Sequence, residues 1–404
     1  DSTLQPMLEL VLRGATEESA RKFAAAVRKA VDGILAEGIP QELLLASLNS
    51  AEFASLERPG SLPDGVLDAI NASTGWLHTG DPTLLLHTDK LFASLREKMA
   101  GGWFDELLRQ LFAPAPVQVV QVPTLPQKDE AGEPIRTDGK LVLEHPLTAA
   151  DLGDGAKTAA GERELLAGAQ LLHHPSAGSL YLNFYYDLGH VKPENMQYLD
   201  LLTDVLDELD SSAHTAQQLN TLRSTWLGDS RVQLDIWTGR QEGAPCHAKL
   251  SLCLSLLERS LEKAVELGGE WLYDTRLTGP AAEAAFARVL SQQKLNMEQQ
   301  FIQQGNAYAA TRASAHYSVD GAVSERCSGV SYYKFLCDLL AKADWAALGA
   351  RLDALRTEVL QNAQLTVSLY GSEDALAKLR SLLPGSRFAA EGRREAVPYT
   401  EPLT

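Results

Sequence analysis

From residue 123 to residue 164 the chain has no apolar periodicity. Pro, Gly, Asp, Glu, Lys and Thr dominate, and the one apolar run is Leu141 to Leu143. Backbone crossing a core must satisfy its own polar groups, and a stretch of this texture has neither helix nor strand with which to do so. It therefore reads as an exposed linker, and no single core is expected to contain both flanks. The length of 404 residues agrees, since it corresponds to about two to three domains.

Before the break, Leu8, Leu10 and Leu12 alternate with Glu9 and Val11, the pattern of a strand over 7–13. Thr16 and its following acids open a helix with Phe23, Val27, Ile34 and Leu35 on one face, closed by Gly38. Pro40 opens a second helix to about Glu57, a third ends near Thr79, and 84–112 is helical by period. Val117, Val119 and Val120 mark a short strand over 117–122.

After the break, Leu166 to His173 reads as a strand, and Leu180, Leu182, Phe184 and Tyr186 alternate in a second. Pro193 opens a helix with Tyr198, Leu202, Val205 and Leu206 on its apolar face. Thr215 and Gln218 have capping-box spacing before the next. Strands follow at 232–236 and 248–256, then helices at 259–275, 280–304, 306–318 and 331–361. Ser324 is expected to cap a new helix start, and Gly329 to break the chain before the aromatic run Val330 to Leu340. A strand at 365–369, a helix at 373–383 and an irregular tail complete the chain.

The order strand, four helices, strand occurs on both sides of the break. It predicts an α+β protein of two-layer α/β units: residues 1–122 as the C-terminal part of one, 123–164 as linker or hinge, and 165–404 as a complete unit. A half-sheet with an open edge would also permit a homodimer.

A net charge of -17 argues against nucleic acid or an anionic membrane as partner. No apolar run approaches a membrane span, and the first residues lack the basic start of a secretory signal, so a soluble and cytoplasmic protein is expected. Four cysteines without CxxC spacing read as structural thiols.

Hydrolytic zinc on a helix needs two His and a Glu on one face, as HExxH or HxxEH, and neither string occurs. Glu144-His145 falls in the linker. His173 and His174 are adjacent on a strand and so point to opposite faces, and Cys246-His247 meets the same objection. There is no GxSxG elbow and no phosphate-cradling glycine loop. Asp204, Asp207, Glu208 and Asp210 read as the solvated side of an amphipathic helix. Arg312, amid alanines, is expected to form a structural ion pair with Glu325. Tyr181, Asn183, Tyr185 and Asp187 could offer an edge or a face to an extended peptide, against the plainer reading of ordinary strand residues. No catalytic, metal-binding or cofactor-binding residue is assigned.

Several stretches carry a resemblance. ATRASA with SERCSGVSYYKFL (311–336), NSAEFASLERPGSLPDG (49–65), WLHTGDP (76–82) and GSLYLNFYYDLGHVKPENMQYLDLLTDVLDEL (178–209) resemble the presequence-protease branch of the insulinase/pitrilysin-like zinc metallopeptidases. The resemblance implies two halves, each of two homologous α/β domains, closed around a chamber and joined by a hinge. Zinc sits in the first domain on an inverted HxxEH helix, and an Arg and a Tyr near the end of the last domain assist substrate binding. This chain then corresponds to the latter part of the second domain, the hinge and the third domain. The expected Arg and Tyr fall beyond Thr404, and the hinge is shorter and less helical than the branch implies. The expectation is a non-catalytic segment of a peptide-degrading zinc metalloendopeptidase that walls the substrate chamber. Zinc would be held by the full-length parent alone, and the partners would be its remaining domains and extended peptides. The alternative is a free-standing peptide-binding or scaffold protein on an inactive peptidase-like fold.

Overall fold

The computed structural model describes residues 8–12, 17–56, 64–86, 88–114, 117, 119, 162–176, 180–239 and 245–401. Most of the stretch read as linker, residues 123–161, lies outside the described residues. Five helices come first: α1 (Glu17–Glu37), α2 (Gln41–Leu56), α3 (Asp64–Thr79), α4 (Asp89–Met99) and α5 (Trp103–Leu111). Gly38 ends α1 in the left-handed region, φ 81°, with its N–H on the Ile34 carbonyl, as its position in the sequence requires.

Packing divides the chain into two compact units, residues 1–40 with 97–160 and residues 41–96 with 161–404. In the first, Asp105 Oδ1 accepts the Ile39 N–H at 2.9 Å and Arg28 donates to the Phe112 carbonyl. The division read from composition runs along the sequence, whereas packing groups α2 and α3 with the chain that follows residue 160.

Two expected strands are absent. Leu8 to Leu12 have no strand structure, and Leu8 and Val11 are about as exposed as each other. Val117 and Val119 are 92% and 86% exposed, and the rest of that segment lies outside the described residues. Alternation makes a segment competent to pair, but a strand exists only when a neighbour supplies the ladder.

The second unit is built on one six-stranded sheet. Its strands are β1 (Glu162–Leu166), β2 (Ala169–Pro175), β3 (Leu180–Asp187), β4 (Leu227–Thr238), β5 (Cys246–Leu256) and β6 (Leu365–Gly371), in the order β1-β2-β6-β3-β5-β4. The β2–β6 pair is parallel and the others are antiparallel. The helices are α6 (Pro193–Val205), α7 (Ala216–Trp226), α8 (Leu261–Gly269), α9 (Pro280–Gln303), α10 (Gly305–Ser314), α11 (Val319–Ser328), α12 (Val330–Lys342), α13 (Trp345–Asn362) and α14 (Glu373–Leu382). A π-helical turn, Glu270–Asp274, continues α8 and buries Trp271.

Alternation sorts the sheet's faces. Leu180, Leu182, Phe184 and Tyr186 share one buried side with Leu250, Leu252 and Leu254 of β5 and Leu365, Val367 and Leu369 of β6. Each such side chain contributes about 1.5–3 kcal/mol when fully buried, which fixes which face meets the helices. Helices α6, α8, α13 and α14 supply Leu199, Leu202, Leu261, Leu352 and Leu376 to the same core.

Local chemistry modified several expected boundaries. The strand read at Leu166 to His173 is a hairpin: Ala167 (φ 52°) and Gly168 (φ 78°) both take positive φ, the two-residue turn that matches strand twist. The residue that caps α11 is Ser318, which accepts the Gly321 N–H at 3.1 Å, and Ser324 lies inside that helix. Residues 331–361 form two helices, interrupted by left-handed Ala343 and the cap Asp344. The capping box at Thr215 and Gln218 is present as read.

The tail is irregular, as expected, yet it straps the fold. Phe388 stacks on Phe184 with ring centroids 3.8 Å apart. Further along, Ala390 N–H donates to the Ala167 carbonyl, Arg394 N–H to Asn362 and Tyr399 N–H to Cys246. Glu401 is buried, with Arg326 Nε at 2.7 Å and Tyr399 Oη donating to it at 2.7 Å.

Candidate functional site

The sheet's other face is polar and aromatic. Tyr181, Asn183 and Tyr185 of β3 stand opposite Ser255, Cys253 and Ser251 of β5 on one side and Tyr370, Ser368 and Thr366 of β6 on the other. The rows extend to Arg231 and Gln233 on β4 and to His174 on β2. Rings cluster there: His174 stacks on Tyr370 at 4.4 Å, and Tyr185 meets Trp237 edge-on at 5.3 Å. Trp237 and Tyr370 are 47% and 41% exposed, while Tyr181, Asn183 and Tyr185 are half-buried.

These groups bind better than they react. Burial pushes the Tyr185 hydroxyl up to about 12, with Cys253 adding to it, and burial likewise raises the Cys253 thiol. A thiol held protonated is a poor nucleophile. What the face offers is ring surface, amide and hydroxyl groups, the equipment for holding a chain of mixed side chains.

Tyr181, Asn183 and Tyr185 do share this face, as their spacing predicts. Asp187 leaves the set: it is buried, pairs with Lys249 Nζ at 2.5 Å and accepts the Gly189 and Val397 N–H groups. The edge reading is corrected. Both sides of β3 are hydrogen-bonded, to β5 and to β6, so no peptide can add there as a strand. Trp237 and Tyr370 were not singled out in the sequence, because only strand register brings them beside β3.

The remaining candidates are structural. His173 is buried with Nε2 3.0 Å from the Gly371 carbonyl, while His174 lies on the opposite face. Cys246 is buried and His247 half-buried, again on alternate sides. Glu144 and His145 lie outside the described residues. Among the described residues no three His, Cys, Asp or Glu side chains come together as a metal site, so zinc has no matching donor set there and no step is assigned to it. Asp207 pairs with Arg223, Glu208 with Arg288, and Asp210 accepts the Ala216 N–H, so that acidic run is exposed but partly employed.

Asp204 belongs to a tighter group. Burial and the Asp204 charge one turn away hold Asp200 well above the usual carboxylate range, and burial raises Asp204 as well, beside Tyr332 Oη at 3.3 Å. A raised folded-state value means that the folded chain keeps this proton to higher pH than the unfolded chain. Stability from Asp200 is therefore full below the ordinary aspartate range and is lost as pH rises through the raised value. Asp200→Asn is expected to stabilise the protein at neutral pH by about 0.5–2 kcal/mol. The gain should shrink on acidification, as read by urea melts across pH; an equal gain at every pH would contradict it.

The motif stretches turn out to be fastenings. Arg312 Nη1 meets Glu325 Oε1 at 2.9 Å, the ion pair expected from the sequence, and Ser331 donates to the same oxygen through both N–H and Oγ. In the 49–65 stretch, Asn49 Nδ2 donates to the Thr225 carbonyl, and Glu52 pairs with Arg96 at 2.6 Å and with Arg259. Phe53 packs where any Cβ on Gly228 would stand, at 2.2 Å, and meets Tyr181 edge-on. α2 thus closes one corner of the polar face.

The sequence profile described as Peptidase M-16C associated matches residues 147–339. The chain is 24% identical to presequence protease 1, chloroplastic/mitochondrial, of Arabidopsis thaliana, over 95% of this chain and 40% of that protein. It is 20% identical to protein HypA of Clostridium perfringens, over 93% and 42%. The chain therefore spans about two fifths of the length of these curated relatives. Among solved structures, the first half of the periplasmic protease PqqL from Escherichia coli is 13% identical, covering 61% of this chain and 49% of that one, with a TM-score of 0.42.

Proposed function

The chain belongs, through residues 147–339, with the peptidase-associated segments of insulinase-like peptidases in the presequence-protease branch, and on that premise we propose that it is a non-catalytic wall of a peptide-degrading chamber. Its polar sheet face holds extended peptides while another part of the same polypeptide carries the zinc and the chemistry. The observation that carries this reading is the division of one sheet into an apolar face under helices and a face bearing Tyr181, Tyr185, Trp237 and Tyr370. A face meant only for packing would be covered by apolar residues, and one meant only for water would not present four rings.

The exposed alternating segments Leu8 to Leu12 and Val117 to Val119 support the rest of the proposal. They are the pattern of strands whose partners belong to other domains of the parent.

Fluorescence anisotropy with a labelled unstructured peptide, run beside a quenched-peptide cleavage assay, tests the reading. Binding without turnover is expected, weakened about tenfold by Tyr185→Ala combined with Trp237→Ala. Chelator-sensitive turnover by this chain alone, or binding indifferent to both substitutions, would refute it.

A further inference from the structure

A cleft of about 630 Å³ opens at the end of β3, between the start of α6 and the last turns of α13. Val191, Leu355 and Val359 give it an apolar floor. Charge on its walls is unevenly met. Asp187 is satisfied by Lys249, and Arg394 pairs with Glu358 at 2.9 Å. Arg351 has no carboxylate partner among the described residues: its Nη2 donates to Asn195 Oδ1 at 2.7 Å and its guanidinium lies 4.5 Å from the Tyr198 ring. Lys192, exposed on the same wall, and the neighbouring Glu194 likewise make no ion pair among the described residues. His190 Nε2 is taken up by the Glu395 carbonyl.

Arg351 is held in place by an amide and a ring, contacts that fix a guanidinium without neutralising it, and its remaining N–H groups are free to receive a carboxylate. In a chain of net charge -17, two unneutralised cations above an apolar floor are a local reversal of sign. We propose that this cleft binds the C-terminal carboxylate of a peptide whose last side chain is apolar, with Arg351 and Lys192 on the carboxylate and Val191, Leu355 and Val359 around the side chain. Through Asp187 and Lys249, which close the last row of the polar face, the cleft continues the surface assigned to peptides. The proposal deepens that peptide-binding reading and rests on it.

The test uses the whole chain and two fluorescein-labelled unstructured peptides, identical in sequence and ending in leucine, one a free acid and the other amidated. The free acid is expected to bind at least about tenfold more tightly, the scale of hydrogen bonds to a charged group. Arg351→Gln with Lys192→Gln should abolish that preference and leave affinity for the amide unchanged. Should Arg351→Gln unfold the protein, Lys192→Gln alone, at an exposed position, should still reduce the preference. Equal affinity for the two peptides, or a preference that survives the substitutions, overturns the cleft and leaves peptide binding by the sheet face standing. Failure of both peptides to bind overturns both.

Discussion

Phe388→Ala is expected to cost the sheet-bearing unit about 3–5 kcal/mol, the range for truncating a buried aromatic. Phe388 is fully buried although it belongs to an irregular tail. Its ring stacks at 3.8 Å on Phe184 of the central strand β3 and stands edge-on to Tyr273 at 5.7 Å. Truncation leaves a cavity against Phe184 and also removes the anchor from which the tail runs to Asn362, Cys246 and Arg326. The local backbone has no helix to hold it in place, so the cavity and the loosened strap act together. Urea unfolding followed by near-ultraviolet circular dichroism measures this. A loss below about 1 kcal/mol, the scale of an ordinary surface change, would show that the tail is not part of the core.

The second large effect is expected at Gly329, between α11 and α12. Its backbone, φ -90° and ψ -164°, suits any residue, so conformational strain is not the reason for glycine. Space is. A Cβ there would stand 2.0 Å from Glu325 Oε2 and 2.6 Å from Glu325 Cδ. Glu325 is buried and accepts from Arg312 and twice from Ser331, so displacing it strips a buried carboxylate of its partners. Gly329→Ala should therefore destabilise by about 2–4 kcal/mol, overpacking and a broken buried pair acting together. A double-mutant cycle isolates the cause. In a Glu325→Ala background most of the Gly329→Ala cost should vanish, and additive costs would disprove the steric account.

Residue periodicity carried the second unit far. β3 and β5 were legible because their apolar residues alternate strictly, and α6 and α7 because Pro193 and the Thr215–Gln218 box mark their starts. The Arg312–Glu325 pair was legible because a charge amid alanines on a packed helix needs a partner. The hairpin at Ala167 was not, since alanine rarely takes positive φ and gives no turn signal. Nor was the cap of α11, where Ser318 and Ser324 offered the same chemistry and only packing chose between them.

The candidate surface divides in the same way. Sequence by itself determined that Tyr181, Asn183 and Tyr185 share a face, because side-chain direction along a strand has a period of two. It could not place Trp237 or Tyr370 beside them, nor bring Arg351 to Lys192 across more than 150 residues. Strand order, register and the docking of α13 on α6 are long-range pairings, and no local pattern encodes which partner wins. Tertiary structure also decided that β3 is interior, which turned an edge that could have accepted a peptide strand into a face that can only hold one by its side chains.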